Sequence, residues 1–206
     1  MEFPPNDVKV ICEEISKILL ERNQSLSVSE GACGGLLSAY LISVPGASKF
    51  FDGGRLIYSL KSRLKLSGWK LKDIESYTGP GEAGVVKLAR SLKIEFGSTY
   101  VLSETGFAGP STYVELTGKE TTENENNKYD ESKLGTVYLG VSGPYGERTE
   151  VVKTGSSDRS ENMQLFAKFG LEFLLRVLKE EGTQKGTKSL QDDDESDDSS
   201  DEDHDE

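Results

Sequence analysis

The chain has 206 residues, of which 34% are hydrophobic, and its formal net charge is −12 at pH 7; these values fit one domain of ordinary size with part of the chain outside the core. The acidity is local, because residues 192–206 hold 11 of the 36 acidic residues and no Lys or Arg, which leaves 24 basic against 25 acidic residues elsewhere. A nearly neutral body with an acidic extension excludes direct nucleic-acid binding through a basic surface.

Targeting signals and cysteine usage indicate the compartment. The opening MEFPPNDVKV has neither a basic n-region nor an apolar h-region, and no run of 18 apolar residues occurs, so we expect neither export nor a membrane span. The two cysteines, Cys12 and Cys33, lack metal-ligand spacing and indicate a reducing environment. We therefore expect an intracellular, cytoplasmic protein, with a nuclear location left open.

Imidazole chemistry is excluded from the body of the protein, because the single histidine is His204, inside the acidic extension. Ser-His-Asp and Cys-His catalysis and His-rich metal sites all need a histidine in the folded part. Proton transfer must therefore use Lys, Tyr, Asp or Glu, and we expect no metal and no cofactor.

Hydrophobic periodicity predicts helices interleaved with strands. A helix begins near Asn6, a strand covers 26–29 and a second helix covers 34–43. The remaining predicted elements are a strand over 55–58, a short helix over 62–66, a helix over 82–96, strands over 100–103, 135–141 and 148–153, and a helix over 160–179. This alternation predicts an α/β fold, a layered α/β/α domain with a mixed sheet of about five strands.

We expect the domain to cover residues 1–181, with an inserted surface loop over the polar, aperiodic residues 112–132. Residues 182–206 are predicted to be a disordered acidic tail, because like charges without apolar residues cannot offset the entropy of ordering. The tail either keeps the protein soluble or binds a basic protein partner. Ser199 and Ser200, each followed three residues later by an acid, are candidate phosphorylation sites.

Residues 27–37, SVSEGACGGLL, place three glycines, an acid and a thiol between a strand and a helix. The N–H groups of such a turn point outward at the positive end of a helix, where an anion or a developing oxyanion binds. Ligands of α/β folds also favour the loops that follow strands, here those after Ser29, Tyr58 and Ser103. An active-site elbow, an anion-binding turn and a plain turn all remain open.

Four separated motifs carry a family resemblance: SEGACGGLLSAYLISVPGASKFFDGGRLIYS at 29–59, ETGFAGP at 104–110, LGTVYLGV at 134–141 and SSDR at 156–159. In this order the chain resembles the C-terminal domain of the competence/damage-inducible CinA proteins, across roughly residues 8–180. That family is known for nicotinamide mononucleotide amidohydrolase activity. The resemblance therefore implies NAD metabolism, nicotinamide mononucleotide or a related nucleotide as ligand, and a homo-oligomer.

Two positions that the resemblance marks as catalytic are changed in this chain. The family pattern A-E-S-C-T-G-G contains the expected serine nucleophile, and Gly31 stands at that position. The pattern Y-S-N-x-x-K retains Tyr58, but Arg63 replaces the lysine expected to handle the proton, and an arginine stays protonated in proteins. Cys33 and Lys61 are weak substitutes, because each lies two residues from the expected position.

More of the residues that the resemblance implies in ligand binding are retained. They come from the opening motif, from a loop that matches the family's T-G-I-A-G-P, and from the arginine before the last helix. These residues are Glu30, Gly34, Gly35, Thr105, Gly106, Ala108, Gly109 and Arg159.

The residues leave three functional hypotheses open. The leading one is a catalytically silent family member, a pseudoenzyme that binds a nucleotide-like ligand or a protein partner. The second is an active nicotinamide mononucleotide amidohydrolase in pyridine nucleotide salvage, whose rearranged site uses Cys33, Tyr58 and Lys61. The third is an interaction protein with a vestigial pocket and a functional acidic tail.

Overall fold

A computed structural model describes residues 2–112 and 130–192, with side chains up to residue 182. The described residues form five strands and six α-helices. In chain order these are α1 (Asn6–Glu21), β1 (Leu26–Glu30), α2 (Leu36–Ile42), β2 (Phe51–Leu56), α3 (Leu60–Leu66), α4 (Leu71–Glu75), α5 (Glu82–Phe96), β3 (Tyr100–Gly106), β4 (Thr136–Gly143), β5 (Gly146–Lys153) and α6 (Arg159–Asp192).

The strands form one mixed sheet in the order β2-β1-β3-β4-β5. β1 pairs in parallel with β2 and β3, whereas β4 runs antiparallel to both β3 and β5. The prediction of an α/β fold with a mixed sheet of about five strands is therefore confirmed. Because the three parallel strands are neighbours, their carboxyl ends meet at one edge of the sheet.

Helices cover both faces of the sheet. Successive residues of a strand point to opposite faces, so each face of the sheet packs its own set of side chains against helices. On one face, Gly170 of α6 packs against Leu102 and Leu139, and α1 and α2 pack beside α6. On the other face, the Ser103 hydroxyl donates a hydrogen bond to the Val85 carbonyl of α5 at 2.7 Å. The main core lies between the sheet and α1, α2 and α6.

A smaller cluster packs beside the sheet edge, where the loop after β2 meets α5. It consists of Ile57, Trp69 and Leu88, with Ile74 and Tyr77 packed against it. The short helix α4, which supplies Ile74, was not predicted, because five residues are too few to show a helical period. This cluster supports the residues that follow β2.

The second strand lies earlier in the chain than predicted. The sequence pattern indicated 55–58, whereas β2 is Phe51–Leu56 and pairs along β1. Asp52 and the two glycines after it have low strand propensity, so the sequence pattern did not indicate that the strand begins this early. A glycine is nevertheless required at Gly54, where a β-carbon would overlap side chains of α2 and β1. Tyr58 consequently lies in the loop after β2.

The last helix is longer than predicted. Its expected end was Lys179, but α6 continues to Asp192. An interior glycine costs a helix only about 1 kcal/mol relative to alanine, so Gly182 does not end it. The missing side chain there leaves room for the Arg22 guanidinium, which donates a 2.9 Å hydrogen bond to the Leu178 carbonyl.

Parts of the predicted insert and tail lie outside the described residues, namely 113–129 and 193–206. The end of the predicted insert is described, and Glu131–Lys133 forms a short 3-10 helix. Across 2–112 and 130–192, no helix is long and apolar enough to cross a membrane.

Candidate functional site

A cavity of about 390 Å³ opens where the three parallel strands end. The loops after β1, β2 and β3, the same loops that the sequence pattern singled out, meet there with α3 and the start of α6. The residues that line it are Gly31, Ala32, Tyr58, Ser59, Leu60, Arg63, Tyr77, Pro80, Thr105, Gly106, Phe107, Ala108, Gly109, Ser111 and Arg159. Among these described lining residues, two carry a positive charge and none is acidic.

Gly31 and Arg63, the two changed positions, lie side by side in the cavity. A β-carbon on Gly31 would lie 3.6 Å from Arg63 Nη2, 3.3 Å from the Glu104 carbonyl oxygen and 3.8 Å from the Ile57 carbonyl oxygen. A small side chain at residue 31 would therefore press on the Glu104 carbonyl oxygen, which would have to shift by a few tenths of an ångström. Its absence leaves a space that the guanidinium faces.

The Arg63 guanidinium is fixed by neutral partners. The side chain is 4% exposed, and it donates to the Tyr77 hydroxyl at 2.8 Å and to Thr105 Oγ1 at 3.0 Å. Its Cζ lies 5.3 Å from the Trp69 ring centroid and 5.1 Å from that of Tyr77. Burial raises the pKa of Tyr77 and Arg63 opposes that shift, so the phenol stays protonated at neutral pH.

The charge on Arg63 is not neutralised by a neighbouring acid. Within the part of the chain that the structure describes, no carboxylate oxygen lies within 4.0 Å of this guanidinium, and its buried Nε has no hydrogen-bond acceptor. A buried charge is costly unless it is paired. No described acid therefore pairs with the positive charge at the Gly31 end of the cavity.

The N–H groups of the first glycine turn bind a carboxylate of the chain itself. Glu104 Oε1 accepts hydrogen bonds from the N–H groups of Gly31 at 2.6 Å and Cys33 at 2.8 Å, and Oε2 accepts from Ala32 at 3.2 Å. Burial raises the pKa of Glu104, the nearby Glu30 adds to this, and the three N–H groups lower it. The N–H groups of this turn therefore bind the carboxyl group of Glu104, a side chain of the protein itself.

A second internal carboxylate occupies the start of α2. Glu30 accepts hydrogen bonds from the N–H groups of Gly35 at 2.9 Å, Leu37 at 3.1 Å and Ser38 at 3.0 Å, and from the Ser38 hydroxyl at 2.6 Å. Gly34 and Gly35 have φ values of +68° and +101°, which glycine adopts readily. The structure places Glu30, Gly34 and Gly35 outside the cavity lining, where they form the turn and the start of α2.

The two candidate substitutes for the catalytic groups also lie outside the cavity lining. The Cys33 side chain is fully buried in the main core, and burial, Glu104 and Glu30 raise the pKa of its thiol well above 9.0. Lys61 is exposed on α3. A nucleophile and its base need direct contact in one site, and the structure places neither of these side chains in the cavity lining.

Tyr58 and Arg159 meet at the rim of the cavity. Tyr58 is 65% exposed, and its hydroxyl accepts a 3.2 Å hydrogen bond from Arg159 Nη2. Arg159 Nη1 donates to the Gly109 carbonyl at 2.6 Å. No described residue places a carboxylate within 4.0 Å of Arg159, so it is the second positive charge of the site with which no described acid pairs.

The loop after β3 forms its wall of the cavity mainly with backbone. A β-carbon on Gly106 would lie 2.7 Å from the Thr136 carbonyl oxygen, so β3 and β4 approach too closely there for a side chain. Gly109 has a φ of +97°, and the Ala108 carbonyl accepts a 3.0 Å hydrogen bond from Asn162 of α6. These contacts hold Thr105, Gly106, Ala108 and Gly109 in the lining.

Three residues that define the site were not predicted. Glu104 carries a detectable signal, because an acid within the buried strand Tyr100–Gly106 needs hydrogen-bond donors. Trp69 and Tyr77 lie in a stretch without a clear hydrophobic period, so no feature of the sequence marks them as site residues. Over the described residues there is no group of three or more His, Cys, Asp or Glu able to hold a metal ion.

Fold and site together define a three-layer α/β protein with a cationic cavity at the ends of three parallel strands. The sequence model of the CinA C-terminal domain matches residues 8–178 of this chain. The chain belongs to the CinA C-terminal domain family.

Curated relatives carry the same family name. A CinA-like protein from Desulfosudis oleivorans is 30% identical over 165 residues, which cover 80% of this chain and 36% of the relative. A CinA-like protein from Synechocystis sp. is 28% identical over 152 residues, which cover 74% of this chain and 33% of the relative. The chain thus spans about a third of the length of the curated relatives it matches.

Solved structures of the family share the fold. A competence or damage-inducible protein from Enterobacter asburiae superposes with a TM-score of 0.70 at 21% identity, over 84% of this chain and 99% of that one. A competence/damage inducible protein from Agrobacterium tumefaciens gives 0.71 at 19% identity, over 87% and 99%. At these identities the similarity establishes the fold alone.

Proposed function

We propose that this chain is a catalytically silent member of the CinA family whose cavity binds a nucleotide-like anion. The observation that carries the proposal is the pair Gly31 and Arg63: the position expected to hold the nucleophile has no side chain, and a guanidinium faces the space beside it.

Three features support the proposed absence of hydrolysis. Gly31 has no nucleophilic atom, and Arg63 stays protonated and cannot accept a proton. The N–H groups of residues 31–33, which lie where an oxyanion would be stabilised, are bound to Glu104. Removing an oxyanion donor alone typically lowers kcat by about 10²–10³-fold.

The alternative, an active amidase that uses Cys33, Tyr58 and Lys61, has little support from these positions. Cys33 is buried in the core and Lys61 lies outside the cavity lining. Tyr58 remains at the rim, where its hydroxyl is bound to Arg159.

Ligand binding is supported by the charge of the cavity. Arg63 lies at the buried end and Arg159 at the exposed rim, and none of the described lining residues is acidic. Two guanidinium groups without carboxylate partners favour a ligand with anionic oxygens, because guanidinium binds carboxylate and phosphate through paired hydrogen bonds. A mononucleotide supplies such oxygens, and the family resemblance makes a pyridine mononucleotide the first ligand to test.

Two measurements on the purified full-length chain test the proposal. Incubation with nicotinamide mononucleotide should release no ammonia above a protein-free blank. Isothermal titration calorimetry with nicotinamide and nicotinate mononucleotide should detect binding of at least one of them. Arg159→Gln should weaken that binding, whereas Arg90→Gln, which removes an exposed charge paired with Glu147 outside the cavity, should not.

Ammonia release would contradict catalytic silence. Absence of binding by both mononucleotides would overturn the binding half of the proposal.

A further inference from the structure

We infer that the buried end of the cavity selects a ligand carboxylate over the corresponding neutral carboxamide, with Arg63 as the residue that recognises it. This inference rests on the proposed function, because it specifies which chemical group of a bound ligand occupies the space over Gly31.

The first step is the direction in which Arg63 faces. Its Nη2 lies 3.6 Å from the position of a β-carbon on Gly31, and both residues line the cavity. One of the two Nη2 hydrogens is bound to Thr105 Oγ1. The charge of Arg63 therefore lies beside any group that is bound over Gly31.

The second step is the state of the charge. Arg63 has only hydroxyl acceptors, the Tyr77 and Thr105 oxygens, and two aromatic rings around it. In the described ranges no acid lies within 4.0 Å of it, and the buried Nε is without an acceptor. The Glu104 carboxyl group does not pair with Arg63, because it is bound to the N–H groups of residues 31–33. An incoming anion would complete the partners of this buried cation.

The third step distinguishes a carboxylate from a phosphate. Arg63 is 4% exposed, and the space beside it is small. The β-carbon position on Gly31 lies 3.3 Å from the Glu104 carbonyl oxygen and 3.8 Å from the Ile57 carbonyl oxygen, so a compact group fits there better than a phosphate. The exposed Arg159 at the rim is open to a bulkier, hydrated phosphate. A ligand that carries both groups would therefore place its carboxylate at Arg63 and its phosphate at Arg159.

The expected preference follows from the strength of the hydrogen bonds. A hydrogen bond between two charged groups is about twice as strong as one between neutral groups. A carboxamide offers Arg63 a neutral oxygen, whereas a carboxylate offers a full charge. We expect the carboxylate form of an otherwise identical ligand to bind about tenfold more tightly, which corresponds to ~1.4 kcal/mol.

The test compares two probes that differ only in this group, nicotinate mononucleotide and nicotinamide mononucleotide, by calorimetry on the wild-type chain. The acid should bind about tenfold more tightly than the amide. Arg63→Gln should remove the preference, while Arg90→Gln, the matched control, should keep it. If Arg63→Gln does not fold, Arg159→Gln is the decisive variant: a preference that it removes assigns the carboxylate to Arg159 and overturns the inference, whereas a preference that it keeps supports Arg63.

Each other outcome has a distinct meaning. Equal binding of both probes, or tighter binding of the amide, overturns carboxylate selection and leaves the proposed function standing. Equal binding that Arg63→Gln weakens for both probes assigns the ligand phosphate to Arg63 and also overturns the inference. A preference that persists in folded Arg63→Gln overturns the assignment to this residue. Absence of binding by both probes overturns the proposed function itself.

Discussion

Glu104 Oε1 accepts a 2.6 Å hydrogen bond from the main-chain N–H of Gly31, across 73 residues of sequence. This contact joins the end of β3 to the turn after β1, and the adjacent bonds to Ala32 and Cys33 complete it. A turn whose N–H groups could receive an oxyanion is thereby saturated from inside the protein. Glu104 is at once a structural contact and the reason that we expect the turn to be unable to support hydrolysis.

Replacing Glu104 by glutamine should destabilise the protein. An amide has one acceptor oxygen, and its NH₂ group cannot accept from the N–H groups that a carboxylate oxygen now binds. A buried N–H left without its acceptor should lower the free energy of unfolding by about 1–3 kcal/mol at pH 7. Urea unfolding followed by circular dichroism measures this change, and the exposed Glu75→Gln is the matched control.

The same variant should also change the pH dependence of stability. Burial raises the folded-state pKa of Glu104 above its ordinary value of 4.5. Between these two values the folded state binds more protons than the unfolded state, so this group's contribution to stability falls as pH rises. The stability difference between wild type and Glu104→Gln should therefore be largest near pH 4.5 and narrow toward neutral pH. A difference that widens instead would mean that the three N–H bonds outweigh burial.

Two glycines of the cavity should respond differently to a methyl group. A β-carbon on Gly106 would lie 2.7 Å from a main-chain oxygen of β4, whereas the tightest contact at Gly31 would be 3.3 Å. Overpacking a rigid backbone contact typically costs about 1–3 kcal/mol. Gly106→Ala should lose that much unfolding free energy in urea, and Gly31→Ala should lose clearly less. Similar losses for both would contradict the view that only Gly106 is required by the fold.

The sequence predicted the location of the site better than its internal contacts. Strands that alternate with helices placed the loops after Ser29, Tyr58 and Ser103 at one sheet edge, and the resemblance marked Gly31 and Arg63. The contacts of Glu30 with the start of α2 were not predicted, because whether a carboxylate faces a ligand or a helix N-terminus depends on where the chain turns. The bond from Glu104 to Gly31 could not be read from either motif alone, since it exists only after β1 and β3 pair.

Cys33 should react slowly with alkylating agents in the folded protein. Its side chain is fully buried, and burial together with Glu104 and Glu30 raises the pKa of the thiol, which removes the reactive thiolate near neutral pH. Iodoacetamide labelling followed by peptide mass spectrometry should find Cys33 modified far more slowly than in urea-unfolded protein. Rapid labelling that a mononucleotide suppresses would instead place this thiol in the site and favour the amidase hypothesis.

Trp69 should report occupation of the buried end of the cavity. It is the only tryptophan of the chain, and the Arg63 guanidinium lies 5.3 Å from its ring centroid. An anion bound to Arg63 changes the electric field at the indole, so nicotinate mononucleotide should shift the emission of Trp69. The shift should saturate with the affinity that calorimetry gives and should be absent in Arg63→Gln. Binding by calorimetry without any shift would place the ligand away from Arg63.

Restoring the two changed residues should not restore hydrolysis. A serine at residue 31 needs the Glu104 carbonyl oxygen, 3.3 Å from its β-carbon, to shift by a few tenths of an ångström, and Arg63→Lys returns an amine that can exchange a proton. The N–H groups of residues 31–33 nevertheless remain bound to Glu104, so a tetrahedral oxyanion would lack its donors. The double variant Gly31→Ser/Arg63→Lys should release no ammonia from nicotinamide mononucleotide, with the single variants as controls and circular dichroism as the check on folding. Ammonia release by the double variant would show that other donors serve the oxyanion, and that Gly31 and Arg63 alone silence the protein.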